Sequence, residues 1–236
     1  MPNWVTNILT FNLANSTTKP DVLEAFLKGK NADGSERVFD FNKIIPMPES
    51  LNIEAGSRGE TGYREYTKFL QECEGKSARL KESLERQYIQ KLDKETWELG
   101  KAYYTNKQNY GCTNWYDWCC DNWGTKWNAC DVYIIDMYDV NYFKVAFDTA
   151  WSAPVPVVVA LSKRFPDIGI THEWADENIG YNTGEIEYWD GETETYDVPS
   201  EGSKEAFEMS FSVLGIDADE VGLVYDENTG TYECKD

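Results

Sequence analysis

A block of helical patterning at residues 60–130 separates two stretches in which strands and helices alternate, and this order leaves few folds open. In the first stretch Val5, Leu9, Phe11 and Leu13 recur at period two and predict a strand over 4–13. Pro20 suits the first turn of a helix, with Asp21 beside the positive end of its dipole. Val22, Leu23, Phe26 and Leu27 supply an apolar stripe that ends at Gly29. Arg37–Ile45 reads as a second strand, stopped by Pro46 and Pro48.

Within the helical block Leu80, Leu84, Tyr88, Leu92, Leu99 and Tyr103 keep helical spacing. Lys81–Glu85, Glu82–Arg86, Lys91–Glu95 and Lys94–Glu98 stand four apart, so one long amphipathic helix is expected after a shorter one near Tyr63–Cys73. Asn114 can cap a further helix over Trp115–Trp123, with Gly124 beyond its end. Strand character returns at 131–136. A turn near Tyr138–Asn141 leads to a strand over 142–151, a helix at 154–165, strands at 168–174 and 180–189, a helix near Lys204–Leu214 and a hairpin across Asn228–Gly230. With 60–130 set aside the order is β-α-β then β-α-β. The expected fold is α+β: a ferredoxin-like, split βαβ antiparallel sheet with helices on one face. The core is drawn as 1–59 and 131–190, the helical insertion as 60–130, and an acidic extension of helix and hairpin as 191–236, with 190–203 an exposed loop.

Charge divides the chain unequally. Residues 1–130 carry 18 acids and 17 bases, a net of -1, whereas residues 131–236 carry 24 acids and 5 bases, a net of -19. A field of that direction attracts basic protein surfaces and repels nucleic acid and anionic membrane. No apolar run approaches the roughly 20 residues of a membrane span. The N-terminus lacks the basic and apolar regions of a signal peptide, so a cytoplasmic location is expected.

The acids concentrate at Glu173, Asp176, Glu177, Glu185, Glu187, Asp190, Glu192, Glu194 and Asp197, which are the candidate partner-binding residues. In 184–189, Glu185 and Glu187 share one strand face while Ile186 and Tyr188 share the other. Glu173 lies opposite Ile170 and Trp174 on its own strand. A sheet with helices on one side would present these carboxylates on its open side.

The segment 115–127 is rich in tryptophan. Trp118, Asn122, Trp123, Gly124, Lys126 and Trp127 form a structural motif, with Asn122 and Thr125 expected to accept indole N–H bonds. Cys112, Cys119, Cys120 and Cys130 contain no C-x2-C pair, and adjacent cysteines on a helix diverge by about 100°, so no metal site is assigned. Reduced thiols are expected. His172, the only histidine, shares a face with Ile170 and Trp174, and no nucleophile motif accompanies it. The EF-hand-like start at Asp217 fails on its ligands, with Val221 and Asn228 at two ligand positions.

The strings Met1–Trp4 (MPNW), Phe41–Pro48 (FNKIIPMP), Trp118-Cys119, Asn122–Trp127 (NWGTKW) and Phe147–Pro154 (FDTAWSAP) occur in this order over about 1–166. Together they resemble the YubB-like proteins of phages and conjugative plasmids, a family named for a ferredoxin-like domain. The resemblance implies a mobile-element origin, the ferredoxin-like fold and no iron–sulfur cluster. It brings no catalytic residues. Val5 stands where the family pattern has a cysteine, which weakens any metal or redox role shared with Cys119.

The expected function is a non-enzymatic acidic protein, without cofactor, that engages a basic surface of a host protein. That surface could belong to a nucleic-acid-binding effector such as a defence nuclease (CRISPR or restriction), met by DNA mimicry or by occupying a basic groove. Direct nucleic-acid or membrane binding is not expected. The alternatives are a cysteine-based zinc protein or enzyme, and a phage structural or assembly component.

Overall fold

Alternate residues of the first strand are buried without exception, and that period-two pattern organises the larger part of the molecule. In the computed structural model, which describes residues 2–31, 33–135, 139 and 141–235, β1 (Trp4–Asn12) buries Val5, Asn7, Leu9 and Phe11. Its antiparallel neighbours are β5 (Tyr142–Ala150) and β6 (Gly169–Asp176). Beyond β5 lies β4 (Cys130–Ile135), and beyond β6 lie β7 (Gly184–Trp189) and β8 (Glu192–Asp197). The strand order is β4-β5-β1-β6-β7-β8.

The first four of these strands, with α1 (Pro20–Leu27) and α6 (Val155–Arg164), reproduce the split βαβ arrangement of a ferredoxin-like sandwich. Leu23, Leu27, Val157, Val158 and Leu161 are the buried apolar positions of the two helices, and Phe26 and Phe165 meet edge to face at 5.1 Å. The register places Asn7 opposite Phe147 and Trp174, and Leu9 opposite Val145 and His172. On β1, β5, β6 and β7 this face of the sheet is therefore buried, whereas β8 is exposed along its whole length.

The chain forms two compact units, Met1–Pro46 with Asn122–Asp236, and Met47–Asp121. The helical unit holds α2 (Ser57–Glu72), α3 (Ala78–Leu92), α4 (Lys94–Tyr110) and the first part of α5 (Trp115–Trp123). It begins at 47 rather than 60 because 47–59 supplies bonding groups to α4. Asn106 Nδ2 donates to Ser50 O at 2.8 Å and Tyr103 Oη donates to Glu54 O at 2.7 Å.

In this unit α2 and α4 touch backbone to backbone at Gly62 and Gly100. A Cβ on Gly100 would lie 2.3 Å from the Gly62 carbonyl carbon. Trp97 is fully buried, its Nε1–H donating to Glu85 at 3.1 Å and its ring 5.1 Å from Phe69.

Three sequence expectations need correction. Arg37–Ile45 is not a strand: only Glu36–Arg37 (β3) pairs, with Gly29–Lys30 (β2), and Phe41–Lys43 is a 3-10 turn. The period-two residues Phe39 and Phe41 are buried, but so is Asp40 between them. Its carboxylate accepts from Asn42 N and Asn128 Nδ2, so this segment has no solvent face. The second strand of the sandwich is β4, on the far side of the insertion.

The expected single long helix is two helices. Asp93 takes φ +93° and caps α4, accepting from Thr96 N at 2.8 Å and Thr96 Oγ1 at 2.9 Å. None of the four charge pairs expected at i,i+4 forms. Glu85 and Glu98 instead meet Lys101, and Glu95 meets Arg58.

The expected loop at 190–203 contains β8, joined to β7 through Asp190-Gly191 with φ +50° and +78°, as a two-residue hairpin turn requires. The expected turn near Tyr138–Asn141 falls partly outside the described residues. No helix among the described residues is long and apolar enough to cross a membrane.

Candidate functional site

The second face of the sheet carries the acids, and strand register decides which of them meet. Glu173 on β6 stands directly opposite Glu185 on β7, and Glu185 directly opposite Asp197 on β8. Three carboxylates thus form a row across three adjacent strands, spaced about 4.8 Å apart in the hydrogen-bonding direction. Like charges directly opposite on a sheet repel. Glu187 lies one step along the same face, between Thr171 and Thr195.

This face is not open, as the sequence had suggested. Helix α7 (Lys204–Leu214) folds back over β6 and β1. Ser203 caps it, its Oγ accepting from Ala206 N at 3.1 Å, and Gly215 ends it in the left-handed region. The helix buries Ala206, Phe207, Ser210 and Val213 and turns Glu205 and Glu208 toward the row. Between helix and sheet runs an open cleft of about 330 Å³, lined by Glu173, Glu185, Asp197, Glu205, Glu208 and Met209.

Two lysines stand near these acids. Lys144 on β5 reaches Glu173 at 3.7 Å, and Lys204 reaches Glu208 at 3.6 Å. The pKa of Glu185, at the centre of the row, is raised, first by partial burial and then by repulsion from Glu173, Asp197 and Glu187. That is the signature of a carboxylate short of a counter-charge.

The remaining candidates scatter. Glu192 opens β8 opposite Trp189, Glu194 sits where the β7–β8 register shifts, and both are exposed. Asp190 occupies the hairpin turn. Glu177 follows β6 at the surface.

Asp176 belongs to a different class. Paired with Val5 on the core face, it is buried and accepts from Asn3 Nδ2 at 3.1 Å, Asn178 N at 2.8 Å and Asn182 Nδ2 at 3.1 Å. It organises the β6–β7 loop and cannot contact a partner, which corrects its place among the binding acids. Two missing signals explain what sequence reading overlooked. Ile8 and Trp4, on the second face of β1, hinted that something covers that face. The apolar positions 206, 207 and 213 supplied the cover.

The tryptophan motif is a packing device. Trp118 and Trp123 are buried, and the Trp123 indole donates to Ile45 O at 2.9 Å. Thr125 Oγ1 is itself a donor, to Ala150 O at 2.8 Å. Gly124 takes φ +75°, and a Cβ there would sit 2.8 Å from the Pro156 ring. Lys126 Nζ lies 4.4 Å from the Trp127 ring centre and 4.9 Å from that of Trp151. Asn122, at the end of α5, is half-buried.

The buried Cys112 and Cys119 thiols and the His172 imidazole favour their neutral forms. Burial pushes the Cys119 thiol up to about 12 and Cys112 to about 11. A nucleophilic or metal-binding cysteine needs the opposite shift. His172 is fully buried, its pKa pushed down to about 3 by burial, with Nε2 3.0 Å from Asn7 Oδ1. Among the described residues no group of three His, Cys, Asp or Glu side chains could hold a metal ion.

Residues 122–217 match the family model of a ferredoxin-like domain in Api92-like proteins. The match begins where the second stretch of the larger unit begins, and it contains β4 to β8, α6 and α7, hence the whole acidic row. Among solved structures, that of protein api92 from Yersinia pseudotuberculosis aligns with 85% of this chain and 99% of its own, at 12% identity and a TM-score of 0.43, too low to add to the family match. No curated protein matches the chain.

Proposed function

We propose that the chain is a non-enzymatic binding protein whose acidic face, made by β6, β7, β8 and α7, docks on a basic surface of a partner protein. The observation that carries this reading is the row Glu173–Glu185–Asp197, in which carboxylates face carboxylates with Lys144 at 3.7 Å from one end. A fold held only by its own contacts gains nothing from such a row, whereas a cationic partner would relieve its repulsion.

The resemblance to YubB-like proteins of phages and plasmids supports a partner inside the host cell. A nucleic-acid-handling effector, whose groove is basic by necessity, fits best. Carboxylates about 4.8 Å apart across strands and about 6.6 Å apart along them are sparser than duplex DNA, at one charge per roughly 1.7 Å of axis. The spacing favours occupation of a groove over charge-for-charge mimicry.

Partners captured from host lysate, identified and repurified, should bind about tenfold or more weakly at 0.5 M than at 0.05 M salt. The double variant E185K/E187K should lose binding while D176N, in the core, should not alter its salt slope. Binding indifferent to both salt and charge reversal would sink the proposal.

A further inference from the structure

We propose that a second cleft, beside the C-terminal hairpin, binds an alkylated ammonium group. The hairpin of β9 (Leu223–Asp226) and β10 (Thr231–Cys234) leans on α7, and between them and the 177–181 loop opens a cleft of about 640 Å³. Three rings line it. Phe207 and Tyr232 lie 5.5 Å apart, and Tyr181, from the loop, is 42% exposed. Leu223 adds an apolar wall, and Glu177 and Glu233 supply two carboxylates. None of these residues belongs to the acidic row.

The walls are fixed by bonds that do not involve the lining side chains. Gly180 N donates to Ser210 Oγ at 3.1 Å, Gly202 N to Gly180 O at 2.8 Å, and Thr231 Oγ1 to Gly202 O at 2.6 Å. Gly180 takes φ +82°, and a Cβ there would lie 2.8 Å from the Phe207 ring, so only glycine lets the ring approach the loop. The cleft is therefore preformed.

Its chemistry selects a cation with an apolar skin. Aromatic faces attract positive charge through their quadrupoles, and quaternary ammonium groups are the ligands such rings suit. A bare ammonium is strongly hydrated and needs several acceptors, which rings and leucine do not offer. A hard metal ion needs six or more oxygens, and two carboxylates are too few. The nearby lysines are committed elsewhere: Lys204 to Glu208 and over the Tyr225 ring at 5.0 Å, and Lys235 to Asp219. Among the described residues neither Glu177 nor Glu233 has an ion-pair partner.

Choline and its neutral isostere 3,3-dimethylbutan-1-ol form the decisive pair, titrated into the full chain and followed by NMR. Choline should shift the Tyr181 and Tyr232 resonances and bind at least about tenfold more tightly than the alcohol, because only the charge differs. A trimethyllysine peptide compared with its unmethylated form distinguishes a protein side chain from a free small cation as the natural source. Y181L and E177Q, both at the exposed rim, should each weaken choline by about fivefold with the fold intact. Equal binding of choline and the alcohol, or no choline shift at these tyrosines, overturns the assignment. The measurement needs no protein partner, so its failure is separable from failure of the acidic face.

Discussion

Glutamates of the helical unit and of the acidic face are the same side chain used in opposite ways. Glu65 on α2 is buried and accepts from Lys68 at 2.8 Å and Lys91 at 2.6 Å. Those two hydrogen bonds hold its pKa down to about 2. Glu85 on α3, bonded by Lys101 and Trp97, is lowered as well. On the sheet, Glu185 looks at Glu173 and Asp197 and is raised. Glu65 and Glu85 are neutralised by lysines within their own unit, whereas Glu185 on the sheet faces only other carboxylates across its neighbouring strands. The lesson is that a count of acids says little until their counter-charges are located.

The largest expected effect removes the geometry that makes the helical side of this contrast possible. Gly100→Ala places a Cβ against the Gly62 backbone, where no flexible side chain can give way. It should destabilise that unit by about 2–3 kcal/mol or more. Hydrogen exchange resolved by unit should show 47–121 opening more often. Unchanged protection of α2 and α4 would contradict the close approach.

Next comes the pH response of the larger unit. His172 protonates at about 3 in the folded chain against 6.5 ordinarily. Below pH 6.5 the unfolded chain gains a proton that the folded chain refuses, so stability falls as pH drops, by about 1.4 kcal/mol per unit until pH nears 3. Denaturant melts at pH 7, 6 and 5 read this slope, and a flat profile for β6 would show that His172 is not buried and neutral.

The smallest effects test the contrast itself. Glu65→Gln should destabilise by about 1 kcal/mol, a modest figure because both lysines are half exposed. Glu185→Gln should instead stabilise by about 0.5 kcal/mol, by removing a like charge from the row. The pH dependences have opposite signs. Glu65 contributes stability above pH 4.5 that is lost as pH falls toward 2, whereas the repulsion at Glu185 eases as pH falls through its raised pKa. Two glutamine variants that shift stability in the same direction would erase the distinction between the two regions.

The resemblance and the period-two strands made the ferredoxin-like core legible, and the helix expected near Lys204–Leu214 is α7. The segment 37–45 misled because Phe39 and Phe41 alternate as a strand would, while Asp40 is buried as no solvent-facing strand residue would be. The helix break at Asp93 left no mark in the periodicity, since Leu92 and Leu99 stay in phase across it. Within the acid cluster, Asp176 looked like its neighbours. Only parity on β6, counted from the buried Ile170 and His172, turns it inward.

Local patterning by itself determined most of the elements and their order, because strand alternation, helical stripes, caps and turns act over a few residues, and composition alone set the -19 charge of the second part. The tertiary structure decided which carboxylates meet, which are tied up by asparagines, and that α7 packs beside the row and leaves an open cleft along it. Those outcomes depend on strand register and on helix docking, which join residues far apart in the chain, and no short-range signal encodes a distance of that kind.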